Sequence, residues 1–267
     1  MISEEVKKQP IYYGLIILLL FIAMVSLPST ALLTKIFGEN DYRFLSPFVF
    51  RPIFVAGFII FAVKIGLGKY FITKPTLKSL IFVLPVLIIA INNFPFFSYF
   101  SNKLAINSNR FEIGYILATF MIVFSEEIVF RLIILPLTAI KLKTSRFYQV
   151  KVFAVSSAIF ALTHIVNLFG GAGFVSVLLQ VLYSFGLGAG LNLIMIKTGN
   201  IFIATSVHLI YNLGGSILTY GLVYGMMWTV GQIILTTIIA VIFGLIIIFM
   251  IFNTKNEEIT QRFNLDS

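Results

Sequence analysis

The chain has 267 residues, 59% of them hydrophobic and 11% charged, with a mean hydropathy of +1.04, whereas a soluble domain carries roughly a quarter of its residues charged; a soluble class is excluded and a membrane protein follows. The net charge of +9 sits on Lys and Arg scattered between apolar runs, which points to membrane topology and away from a nucleic-acid partner. Cysteine is absent, so disulfides, thiolate metal sites and a cysteine nucleophile are excluded.

Apolar stretches near the roughly 20 residues that span a bilayer recur at Ile11 to Leu33, Pro47 to Ala62, Leu80 to Phe97, Ile113 to Ile140, Val152 to Phe169, Phe174 to Ile196, Ile201 to Tyr220 and Met227 to Phe252. The expected fold is all-α, a polytopic bundle of about eight transmembrane helices, forming a single integral membrane domain over residues 1–267. No repeat or linker divides it, and the first run lacks a small-residue cleavage site and reads as a retained anchor. An even number of spans puts both termini on one side. With the N-terminus inside, Lys7, Lys8, Lys64, Lys69, Lys74, Lys78, Lys141, Lys143, Arg146, Lys151, Lys197, Lys255 and Arg262 are cytoplasmic. Only Lys35, Arg43, Arg51, Lys103 and Arg110 face the other way. The expected location is therefore the cell membrane with cytoplasmic termini. Gly186, Gly188 and Gly190 fall inside the sixth span, where small residues serve close helix packing rather than phosphate binding.

The fourth, fifth and seventh spans contain residues that apolar helices avoid. Glu126, Glu127 and Arg131 lie in the fourth, and the only two histidines, His164 and His208, in the fifth and seventh. An ionisable group at mid-bilayer costs on the order of 3 kcal/mol, so such residues normally face the bundle interior and have a function. At about 1.5 Å per residue, Glu126 and His164 lie roughly 20 Å and His208 roughly 12 Å from their cytoplasmic ends, one common layer. Asn212 follows His208 by one turn on the same face. Glu127 and Arg131 have the i, i+4 spacing of an ion pair, acid first. Glu126 points about 100° away and keeps a free carboxylate that burial makes ready to take up a proton, as a general base must.

The segments EEIVFR (Glu126 to Arg131), FALTH (Phe160 to His164) and HLIYN (His208 to Asn212) resemble the ordered EExxxR, FxxxH and HxxxN signature of the CPBP family, which includes CAAX prenyl endopeptidases, Abi proteins and bacteriocin-processing and self-immunity proteins. The resemblance covers a core of about 113–220. It implies an intramembrane endopeptidase that cuts a membrane-associated or lipidated peptide or protein with water activated by Glu126, His164 acting as its partner. His208 and Asn212 would stabilise the oxyanion, and Glu127 and Arg131 would hold Glu126 in place. Members are often called metalloproteases. A divalent metal such as zinc could be held by Glu126, His164 and His208, but no HExxH helix is present and the metal stays open.

Other intramembrane chemistries lack their residues. Both Asp lie outside the spans, and Ser216 in GGSIL has an incomplete nucleophile pattern. Two rivals of other classes remain: a non-proteolytic scaffold or bacteriocin self-immunity protein, and an ion- or proton-coupled transporter, for which no matching halves are visible. The expected partners are the bilayer and a hydrophobic or lipidated substrate. The phenylalanines and tyrosine between Asn92 and Phe100 are read first as interfacial anchors.

Overall fold

The computed structural model describes residues 2–71, 73–107, 112–218 and 220–265; Arg110, assigned above to the outside, lies beyond them. In chain order the elements are α1 (Glu4–Lys8), α2 (Pro10–Ser26), α3 (Ser29–Phe37), α4 (Arg51–Lys64), α5 (Leu77–Leu80), α6 (Leu84–Asn92), α7 (Phe96–Phe100), β1 (Leu104–Ile106), α8 (Glu112–Glu127), α9 (Leu135–Leu142), α10 (Tyr148–Leu162), α11 (Phe174–Thr198), α12 (Ile201–Ser216), β2 (Val223–Gly225), α13 (Val230–Phe252) and α14 (Asn256–Phe263). Every expected span contains helix, and the architecture is an all-α polytopic membrane bundle. Among the described residues four segments, Pro10–Phe37, Tyr148–Leu168, Phe174–Thr198 and Val230–Phe252, are long and apolar enough to cross a membrane.

Proline accounts for where the other spans shorten. Pro28 separates α2 from α3, and Pro52 opens α4, which has 14 residues. The third span is not one helix: Pro85 starts α6 and Pro95 starts α7, since proline fits a first turn but breaks an interior one. A two-stranded antiparallel ladder, Leu104 opposite Gly225 and Ile106 opposite Val223, ties the loop before α8 to the loop before α13 and was not expected from the sequence.

The centre of the molecule is one helical run, α8, a π-helical stretch Ile128–Ile134, and α9. From Glu127 to Ala139 every residue is buried, as for a helix wrapped on all sides. Around it, α13 presents most of its apolar surface outward; Val230 and Phe249 are exposed, as lipid contact requires.

The helix ends are fixed by local chemistry. Asn200 caps α12 by accepting from the Phe202 and Ile203 N–H groups, and Thr229 caps α13 by accepting from Gln232 N–H. Helix α11 ends at Gly199 in the left-handed region (φ 65°), and there a Cβ would also lie 2.3 Å from Arg262 Nη1. Arg262 donates from Nε to Ile196 O at 2.7 Å and from Nη2 to Lys197 O at 3.0 Å, satisfying the last carbonyls of α11. Lys197 Nζ lies 2.5 Å from Glu258 Oε2, so the amphipathic α14 is latched under α11. Burial alone would raise the Glu258 carboxyl, but Lys197 and the Lys255 N–H hold it below its usual value.

Close packing by glycine holds at two of the three positions in α11. A Cβ at Gly188 would lie 3.1 Å from the Phe160 ring and one at Gly190 3.0 Å from Val86, whereas Gly186 faces open space. Among the helical glycines the tightest backbone approach is at Gly214 of α12, whose Cβ would sit 2.8 Å from Asn93 C and Phe94 N. Gly214→Ala is therefore expected to lower the apparent Tm of the detergent-purified protein, consistent with an overpacking cost of about 1–3 kcal/mol. Gly186→Ala, in the same assay, should be neutral or slightly stabilising.

Candidate active site

The π-helical turn begins directly after the two glutamates, and π-bulges inside α-helices favour functional sites. It carries Arg131, with Nη1 3.3 Å from Glu127 Oε1 and both side chains fully buried. The expected ion pair is present, and Glu127 does more than support its neighbour: the same Oε1 lies 2.7 Å from His208 Nδ1. A carboxylate oxygen accepts, so His208 Nδ1–H donates to Glu127 and the ring turns Nε2 outward. There Nε2 faces Glu126 Oε2 at 3.7 Å, beyond hydrogen-bond range.

Glu126 points the other way round the helix, as its register requires, and its side chain is 15% exposed where that of Glu127 is sealed. It lines a cavity of about 610 Å³ together with His164, His208, Asn212, Tyr183 and Arg51. The four side chains from three expected spans thus open on one space. Asn212 reaches it from one turn beyond His208 on α12.

His164 departs from its expected place beside Glu126. It lies where α10 tightens into a 3-10 stretch, Thr163–Leu168, and its Nδ1 faces its own helix, 3.2 Å from Phe160 O and 3.3 Å from Ala161 O. Among the described residues His164 makes no ion pair or hydrogen bond with Glu126; the imidazole nearest that carboxylate is His208. The tight turn and the backbone carbonyls hold His164 on the cavity wall instead.

Phe160 was read only as part of a motif, yet it organises the site. Its ring packs edge-on against Phe130 (5.1 Å between centroids), His164 (5.1 Å) and His208 (5.8 Å), and the Arg131 guanidinium lies over it at 4.1 Å. One buried ring thus sets both imidazoles and stacks the cation that neutralises Glu127. Its i, i+4 spacing to His164 was the available signal. Arg51, assigned above to loop topology, was missed as a cavity residue because a basic residue at a span end normally reports orientation.

Metal ligation by Glu126, His164 and His208 does not fit this arrangement. Among the described residues no group of three His, Asp or Glu side chains is placed to hold an ion, and no step is routed through one. Ser216 is engaged as a helix residue, donating to Asn212 O at 2.6 Å.

No curated protein and no solved structure matches the chain. Residues 109–214 match the family model described as type II CAAX prenyl endopeptidase Rce1-like. That segment holds all three motifs and the glutamates, histidines and asparagine gathered at the cavity, and the family supports an intramembrane peptidase of the CAAX type. The motif-bearing segment of this membrane protein is thus similar to the Rce1-like type II CAAX prenyl endopeptidases, over residues 109–214 of the 267.

Proposed function

We propose that the chain is an intramembrane endopeptidase in which Glu126 activates the attacking water. The observation that carries this reading is the pairing of Glu126 and His208 Nε2 across 3.7 Å on the cavity wall. That gap is too long for a direct hydrogen bond and suits a water bound to both.

In the proposed reaction the Glu126 carboxylate takes a proton from the water as its oxygen bonds to the scissile carbonyl carbon. The carbonyl π-electrons move to oxygen, and the developing oxyanion meets His208 Nε2–H and the Asn212 amide. Glu127, paired with Arg131, accepts from His208 Nδ1–H from behind as the ring donates from Nε2–H to the oxyanion. Collapse of the tetrahedral species breaks the C–N bond as Glu126 returns its proton to the leaving amine. His164 contributes its outward Nε2 edge to the same cavity, where it can orient the peptide.

The substrate class this reading supports is a hydrophobic or lipidated peptide reached from the bilayer. The test is cleavage of prenylated CAAX-type peptides by the purified chain, followed by mass spectrometry, with the Glu126 variant beside it. A cellular phenotype that survives loss of Glu126 in a folded protein would favour the scaffold or immunity reading.

A further inference from the structure

Arg51 presents a cation to the cavity with no acid committed to it. It opens α4, outside the matched segment, and Nη1 donates to Ser125 Oγ at 3.2 Å, which in turn donates to Ile122 O at 2.6 Å. This chain fixes one nitrogen of the guanidinium beside the residue that precedes Glu126. Among the described residues Arg51 has no carboxylate within ion-pair distance. Arg51 itself lines the cavity. Glu126 acts on this guanidinium only at a distance, a guanidinium held in a membrane protein without a direct ion pair is costly, and its planar fork matches a carboxylate bidentately.

We infer that Arg51 is a specificity-determining residue that binds a carboxylate of the peptide substrate, from its C-terminus or an acidic side chain, close to the scissile bond. The inference rests on the proteolytic reading above and deepens it. Because Arg51 is anchored to Ser125 and the attacking water sits on Glu126, the bound acid and the cut bond belong to neighbouring parts of the peptide. The Glu126 carboxylate repels a substrate acid placed on its own side, which leaves the Arg51 side as the place for it.

The experiment uses the purified full chain and prenylated peptides in matched sets: free C-terminal acid against C-terminal amide, and Asp against Asn near the C-terminus. The expected result is a roughly ten- to hundredfold higher kcat/KM for the acid form, carried mainly by KM. Arg51→Gln should erase that preference, bringing kcat/KM for the acid peptide down to that of its amide in the same variant, and Arg51→Lys should restore part of it. Which matched set responds identifies the source of the acid. Should Arg51→Gln not fold, the acid peptide should still raise the Tm of the wild-type protein more than its amide does. Equal cutting and equal thermal protection by acid and amide, or an equal loss on both in Arg51→Gln, overturns the inference while proteolysis stands. If no peptide is cut or bound, the inference falls together with the reading beneath it.

Discussion

Glu126→Gln is expected to lower peptidase turnover by about 10²- to 10⁴-fold, the range of a lost general base, while the apparent Tm stays near the wild-type value. The first part follows from chemistry: an amide cannot take a proton from water. The second follows from geometry. Glu126 is on the cavity wall, partly exposed, and its nearest charged partner is 3.7 Å away, so an isosteric neutral group leaves no buried charge unpaired. Turnover in detergent and a thermal melt of the same sample check both at once. Loss of folding together with activity would instead place Glu126 in the scaffold.

Arg131→Ala should have the opposite signature, a large loss of stability of about 3–5 kcal/mol, the cost of removing one partner from a buried pair. Glu127 and Arg131 are both fully buried, and without the guanidinium Glu127 keeps only His208. The variant also removes the cation stacked on Phe160. The paired change Glu127→Gln with Arg131→Met should recover much of the stability, because apolar or neutral replacements of a buried pair are tolerated. It should not recover activity, since His208 then lacks the acid behind Nδ1. A double variant no more stable than Arg131→Ala would show that packing of the arginine, rather than charge balance, dominates.

Much of this site was legible in the sequence for a physical reason: Glu126, Glu127, Arg131, His164 and His208 are ionisable groups inside apolar runs, where cost alone marks them. Helix register also separated Glu126 from Glu127 correctly, one toward the cavity and one toward Arg131. Register along one helix says nothing of contacts between helices, so the Glu127 to His208 hydrogen bond was hidden, and His164 rather than His208 was set beside Glu126. The π-helical turn at Ile128–Ile134 leaves no composition signal either. Arg51 escaped because its position at a span end has a simpler topological explanation. Helix α14 escaped because it is short and polar; only Ile259 and Phe263, one turn apart and both buried, betray its docking face.

Hydrolysis requires water in the cavity where these side chains meet, and the absence of native cysteine makes that measurable without a substrate. Glu126→Cys, His164→Cys and Asn212→Cys, each made singly, should react with a water-soluble maleimide in the folded protein, while Leu193→Cys, at a fully buried position, should stay unmodified until unfolding. If all three cavity positions are as unreactive as position 193, the space is dry and the hydrolytic mechanism is contradicted.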